Sequence, residues 1–430
     1  MRRSRLRIVS VAILSGLVGR AVTLIVPLIA MTPMLNHLGT SLFGVWLTAT
    51  ALAGMASFLD FGVGNALLTR LSDAYGRGDS TEARRLIGQS YVLLGSISLI
   101  LIFLIVGISA VALALEQDAG RDDRIVVVAI VVVALFFSFP SLIIHKVLQA
   151  RQVFVHSQVM LASGPFVALL ACLSGINAGV EPVGVVALYA FSNSFVLAIW
   201  ALAYFRLSPH QRPTFDALKW GQMRQLSTLG GSFFILLIFY VIGMNADNVI
   251  ISIVADSEAV TEYGVPSKLG GLLMMVVGTA TFPLWSIFSE ALARNDRAWL
   301  RSTTLKMSLG GSALVLCLGG LITFLADPIL HVWMGRSFSD QHLVLAGWTV
   351  LAAVTAFTAP HNMVLNAAGL ARPQILPWIG FVVVSVLAKF ALLSVGNTWL
   401  APWISALVYA GAISPFVLRV SRSRISGDEH

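Results

Sequence analysis

The sequence predicts an all-α integral membrane protein, with about twelve transmembrane helices in two parallel six-helix lobes around a central cavity. Composition is the first observation behind this: of 430 residues, 57% are hydrophobic and only 11% charged. The mean hydropathy of +0.86 lies beyond ordinary globular values. The second is that apolar residues come in runs of about 20, the length a helix needs to cross hydrocarbon, and not in alternating ten-residue strands. The third is an internal repeat of about half the chain.

Reading apolar runs against polar breaks places spans at 8–35, 41–69, 86–115, 125–148, 157–178 and 183–205, then at 229–253, 265–288, 305–326, 342–366, 375–396 and 400–418. The Arg-rich start "MRRSRLR" leads into a first helix that is expected to be retained, because no clear small-residue cleavage site follows it. The N-terminal lobe then covers 1–205 and the C-terminal lobe 229–418. Between them runs a basic linker, 206–228, with a short surface helix expected over 215–226, and a tail follows at 419–430. Pro27, Pro140, Pro165, Pro283, Pro360 and Pro415 interrupt spans and remove backbone hydrogen bonds, so these helices are expected to bend.

Most of the 28 Lys and Arg residues fall at the N-terminus, in alternate breaks and in the tail, whereas the opposite breaks hold Arg121, Arg124 and Arg336. Both termini are therefore expected in the cytoplasm. The opposite loops carry acids (Glu116, Asp118, Asp122, Asp123, Glu181, Asp256, Glu258, Glu262), and Trp333, Trp399 and Trp403 suit an interfacial aromatic belt. Basic charge dispersed over short segments argues against nucleic acid as a partner. Cys172 and Cys317 lie inside apolar spans and read as small hydrophobes, not as a disulfide, metal pair or nucleophile.

The repeat sets "DAYGRGDSTEAR" (73–84) on "EALARNDRAWLR" (290–301): an acid, Ala, then Arg-x-Asp and a second Arg. The same shift places "VLQA" (147–150) on "VLNA" (364–367), and Arg2 and Arg7 on Lys219 and Arg224. Six spans per half make the halves parallel repeats, an arrangement typical of transporters. Asp79 and Asp296 are placed to cap the helices that follow. "GVGN" (62–65) follows no strand, so close helix packing is its reading and not a nucleotide loop.

Five charges fall well inside spans: Arg20, Asp60, Asp247, Lys268 and Lys389. Each costs about 3 kcal/mol at a helix centre, so the bundle interior must be polar. Arg20 and Asp60 reach similar depth in neighbouring spans, and Asp60 is either a working acid or a structural partner of Arg20. Asn245, Asn248 and Ser252 form a polar stripe beside Asp247, while Trp378, Ser385 and Lys389 share a helical face that joins an aromatic surface to a cation. Helix-to-helix hydrogen bonds are the alternative reading of both. None of these charges recurs in the repeat: Asp60 falls on Val277, Arg20 on Leu237, Asp247 on Ala30, Lys268 on Ala51 and Lys389 on Cys172.

With these features in view, "LDFGVGNALLTRLSDAYGRGD", "YGVPSKLGGLLMMVVGTATFPLWSIFSEALARNDRAWLR" and "HVWMGRSF" resemble the polysaccharide and O-antigen flippases of the multidrug/oligosaccharidyl-lipid/polysaccharide exporter (MOP) superfamily. The resemblance implies movement of an undecaprenyl-pyrophosphate-linked oligosaccharide, by alternating access, across the bacterial cytoplasmic (inner) membrane for polysaccharide or lipopolysaccharide biosynthesis. It implies Arg20, Lys268 and Lys389, with Trp378, as substrate-binding residues. Asp60 and Asp247, with Asn245 and Asn248, become candidates for a coupling proton or sodium ion. Three cations against two acids leave such a cavity only weakly positive, a departure from a purely electrostatic pyrophosphate trap. Membrane lipids, a polysaccharide polymerase and chain-length proteins are the implied partners. No Walker A motif, no clustered His and Cys ligands and no long outer loop stand in the chain, so neither catalytic residues, nor a metal, nor another cofactor is expected, and His145 and His361 read as structural. A cation-coupled multidrug exporter of the same superfamily is the alternative.

Overall fold

A computed structural model describes residues 2–56, 60–115, 119–215, 220–255, 257–393 and 397–427. Glu116, Asp118, Lys219 and Asp256 lie outside the described residues, as do the side chains of Arg2, Arg7, Asp122 and Glu258. The elements among the described residues are all helical. In the first half they run α1 (Arg2–Ala56), α2 (Val63–Arg77), α3 (Ser80–Leu115), α4 (Ala119–Ser138), α5 (Ile143–Ala150), α6 (Phe154–Asn177) and α7 (Pro182–Leu207). There follow α8 (Trp220–Asn245), α9 (Asp247–Val254), α10 (Ser257–Thr281), α11 (Leu284–Ala293), α12 (Arg297–Phe324), α13 (Ala326–Met334), α14 (Gln341–Ala367), α15 (Arg372–Leu393), α16 (Ala401–Val408) and α17 (Ser414–Ser426). The chain divides into two compact units, Arg3–Gly231 and Ser232–His430 with Met1–Arg2.

Among the described residues, eleven stretches are long and apolar enough to cross a bilayer. The first, Ser10–Thr50, has 41 residues. At 1.5 Å per residue it would reach about 60 Å, twice the hydrocarbon thickness. Gly39, at φ 70° and ψ 165°, divides it into two helices, which accounts for the two spans read there. Phe103, Leu104, Val111 and Leu115 of α3 are exposed, as suits a surface whose solvent is lipid. In the C-terminal unit α14 is the central helix, packed by α10, α11, α12, α16 and α17. In the N-terminal unit α7 packs on α4 and α6, and α2 on α3 and α5.

The sequence repeat returns as repeated geometry. Gly78 and Asn295 occupy equivalent positions and both have left-handed backbone, φ 76° and 54°. Around them Asp79 N–H donates to Ala74 O and Asp296 N–H to Ala291 O, each at 2.9 Å. The Asp79 carboxylate accepts from Glu82 N at 2.8 Å and that of Asp296 from Trp299 N at 3.4 Å, both of them N-caps. Arg77 pairs with Asp73 at 2.8 Å, and Arg294 with Glu290 at 3.1 Å. The second match behaves alike: Val153 N–H donates to Leu148 O and Leu370 N–H to Leu365 O, each at 2.9 Å, over left-handed Gln152 and Gly369. These are helix ends closed by a left-handed residue.

Breaks inside spans are where the structure departs from the reading of continuous helices. Span 41–69 is discontinuous, because α1 ends at Ala56 and α2 starts only at Val63, past left-handed Phe61 and Gly62. Span 229–253 breaks at Ala246, between α8 and α9. Pro140 and Pro283 sit at breaks, between α4 and α5 and between α10 and α11, and Pro415 follows a π-helical turn, Tyr409–Ile413. Pro27, Pro165 and Pro360 lie within continuous helices. The surface helix expected over 215–226 is, from Trp220 onward, the start of α8. The linker before it packs on the N-terminal unit, with Thr214 N–H donating to Arg84 O at 3.2 Å and Arg84 Nε to Arg212 O at 2.8 Å.

A Cβ at Gly78 would meet nothing within 4 Å, so substitution there reports backbone conformation alone. Gly78→Ala is expected to lower stability by about 1 kcal/mol, and Gly78→Asn by less, since Asn tolerates this conformation and fills the equivalent position. Thermal unfolding in detergent micelles checks the order of the two losses.

Candidate functional site

Asp60 stands at the break in the second span, and local chemistry explains an acid there. The first N–H groups of a helix lack partners within it, and in hydrocarbon water cannot supply them. Here Asp60 takes them: Oδ1 accepts from Gly62 N at 2.9 Å, Oδ2 from Gly64 N at 3.1 Å, and its carbonyl from Val63 N at 3.0 Å. A Cβ on Gly64 would lie 2.3 Å from Asp60 Oδ2 and 2.8 Å from Lys146 Cε. Glycine thus lets acid and lysine close over the start of α2. Lys146 Nζ donates to Asn65 Oδ1 at 3.1 Å. This lysine, at the edge of a span, reads from sequence as one more charge that sets topology. The break at Pro140 instead brings α5, and Lys146 with it, against α2.

The C-terminal unit holds a more deeply buried group. Lys389 Nζ on α15 and Asp247 Oδ1, at the start of α9, are 2.5 Å apart. Tyr263 on α10 donates its hydroxyl to Asp247 Oδ2 at 2.5 Å. Lys389 and Tyr263 are 1% exposed and Asp247 5%, so the pair is sealed inside its unit and joins three helices. One turn from Lys389, the buried Ser385 hydroxyl has no hydrogen-bond partner among the described residues. Trp378, two turns further, is buried and packs edge-on against Tyr240, Phe381 and Tyr409 at 5.5–6.0 Å. Trp378, Ser385 and Lys389 therefore share one face, as their spacing indicated, and that face looks into the unit.

The remaining candidates lie elsewhere. Asn245 and Asn248 are exposed, unlike Asp247, and Asn245 Nδ2 donates back to Val241 O at 3.0 Å. Lys268 is exposed on α10 and Arg20 half-buried on α1. The structure thus brings Asp247 and Lys389 together and adds Tyr263 to them. The repeat sets Tyr263 on Trp46, an aromatic pair that gives no sign of the hydroxyl's partner. Among the described residues, no three His, Cys, Asp or Glu side chains gather as a metal site.

At the equivalent place in the N-terminal unit stand Ala30, Trp46 and Cys172, all buried and set in apolar clusters. Packing without charge fills that place, although the buried Trp46 indole N–H has no hydrogen-bond partner among the described residues. An acid and an amine in one buried contact can exchange partners: a cation competes with Lys389 for Asp247, and an anion competes with Asp247 for Lys389.

The sequence profile of the family described as "Polysaccharide biosynthesis protein" matches residues 10–289. No curated protein matches the chain. Solved structures similar to it include an outward-facing multidrug resistance MATE family transporter of the MOP superfamily, with TM-score 0.79 and 14% identity over 98% of this chain and 96% of that one. A MOP superfamily transporter from Pyrococcus furiosus, described as having a binding pocket of reversed polarity, has TM-score 0.79 and 12% identity over 98% and 96%. A MATE transporter from Vibrio cholerae has TM-score 0.78 and 14% identity over 98% of each chain. At these identities the likeness is one of fold.

Removing one member of the buried pair leaves the other charge uncompensated. Lys389→Met or Asp247→Ala alone is expected to cost about 3–5 kcal/mol. The double variant should recover most of that loss, because the equivalent N-terminal positions pack without charge. A double-mutant cycle of thermal unfolding in micelles measures the recovery.

Proposed function

The chain belongs to the polysaccharide biosynthesis protein family, and on that premise we propose that it is a flippase. Its cargo would be an undecaprenyl-pyrophosphate-linked oligosaccharide, carried across the bacterial inner membrane by alternating access, with both termini in the cytoplasm. The family match supports a cargo that belongs to polysaccharide biosynthesis. The MOP superfamily fold, shared over 98% of the chain, supports transport as the mode of action. A sugar headgroup cannot cross hydrocarbon unaided, but it can pass through a polar interior while its lipid tail stays in the bilayer, and no bond need form or break.

The roles proposed for the charges follow their environments. Lys389 is already neutralised by Asp247, so the two, with Tyr263, form the coupling site and not a standing headgroup trap. An anionic headgroup draws Lys389 from Asp247, and a proton or sodium ion then neutralises the acid that is left. By linkage, each ligand changes the affinity for the other by the same factor. Lys268, exposed on α10, and Arg20, half-buried on α1, remain the headgroup cations. Asp60 acts in the helix break, where its carboxylate is occupied by N–H donors. The multidrug-exporter reading would favour acids without cation partners, and the pairing of Asp247 with Lys389 weighs against it.

Headgroup translocation in reconstituted vesicles tests the proposal. Wild type is expected to move the lipid-linked headgroup faster under an imposed proton or sodium gradient. Asp247→Ala/Lys389→Met, although folded, should lose the gradient response, and Lys268→Ala should slow translocation at every gradient. Full gradient-driven activity in the double variant, or efflux of organic cations without headgroup movement, would contradict it.

A further inference from the structure

One cavity is used by none of the roles above. It lies within the C-terminal unit, at the end of the helices that carries the repeated basic turn, and encloses about 640 Å³. Arg297 and Arg301 from the first turns of α12 and Arg422 from the last turns of α17 line it, with Leu305, Phe357 and His361. Among the described residues, no Asp or Glu lines it. His361 is turned to Ser421, its Nδ1 2.7 Å from the hydroxyl. The guanidinium-bearing side chains of Arg297, Arg301 and Arg422 are exposed, and among the described residues none of the three has a carboxylate partner. By contrast, a pocket of about 390 Å³ in the N-terminal unit has the acids Asp79 and Glu82 in its lining beside Arg70 and Arg85.

The repeat indicates what kind of occupant the cavity takes. The equivalents of Arg301 and Leu305 are Arg84 and Gly88. In the N-terminal unit that groove is filled by the chain's own linker. Arg84 holds the Arg212 carbonyl, and a Cβ at Gly88 would sit 2.2 Å from Thr214 O, so a peptide can lie there only over glycine. Leu305, 52% exposed, blocks that course and gives the cavity an apolar wall beside three cations. A ligand with a compact anion joined to hydrocarbon fits these walls. Basic pockets between helices at a membrane surface recognise lipid headgroups in this way, and Arg forks bind phosphate oxygens bidentately.

We infer that this cavity binds the phosphate headgroup of an anionic phospholipid from the leaflet it faces, with Arg301 and Arg422 as its main ligands and Leu305 and Phe357 against the first acyl carbons. Native mass spectrometry of the full chain in mild detergent, titrated with phosphatidylglycerol, tests this. Wild type should bind phosphatidylglycerol at least about tenfold more tightly than phosphatidylcholine. Arg301→Gln/Arg422→Gln should lose that preference, while Arg301→Lys/Arg422→Lys, which keeps the charge, should retain most of it. Millimolar inorganic phosphate should not displace the lipid. An unchanged preference in the Gln variant, no preference in wild type, or ready displacement by inorganic phosphate, which would mark a site for soluble anions, would each overturn the inference.

Discussion

Hydrocarbon cannot solvate an unpaired N–H or a lone charge, and the arrangement of this protein follows from that constraint. Every interruption of a membrane helix needs a local partner for the donors it frees. The break before α2 shows the solution: Asp60 gathers three N–H groups with one carboxylate and its own carbonyl. Gly64 keeps the space that this needs. Lys146 brings a cation to the same spot without meeting lipid. A charge that looks costly by position is thus part of the means by which a broken helix is tolerated.

The buried group in the C-terminal unit obeys the same constraint but is not demanded by the fold. Asp247, Lys389 and Tyr263 satisfy one another, while Ala30, Trp46 and Cys172 fill the equivalent place with apolar contacts. Buried ion pairs generally add little stability over a packed apolar substitute. Retaining one where its repeat mate does without it points to a use beyond architecture. The loops give the opposite picture, since the capping aspartates, left-handed turns and Arg pairs occur in both halves with matching hydrogen bonds.

Much of the fold was legible in the sequence, because the bilayer makes hydropathy and Lys/Arg placement nearly sufficient to find spans, and because turn residues repeat where turn geometry repeats. The breaks were less legible. A hydropathy run passes through Phe61 and Gly62 unchanged, since it records composition and not dihedral angle. Lys146 was hidden by its place at a span edge, where a cation reads as a topological charge. Tyr263 was hidden because its ring counts as apolar until its hydroxyl is seen on Asp247. The three-residue face of Trp378, Ser385 and Lys389 followed from helical spacing, but spacing alone did not say that it turns inward. The stripe of Asn245, Asn248 and Ser252 was periodic too, yet it is exposed while Asp247 is buried.

In the proposed flippase, the contact between Asp247 and Lys389 is exchanged when cargo binds and is not a fixed support. Infrared difference spectroscopy between the ligand-free protein and protein loaded with lipid-linked oligosaccharide tests it most directly, with the Asp247 carboxyl band identified by its loss in Asp247→Asn. This band is expected to shift on loading, as Lys389 leaves and a proton or sodium ion takes its place. An Asp247 band that stays unchanged while the ligand binds would contradict it.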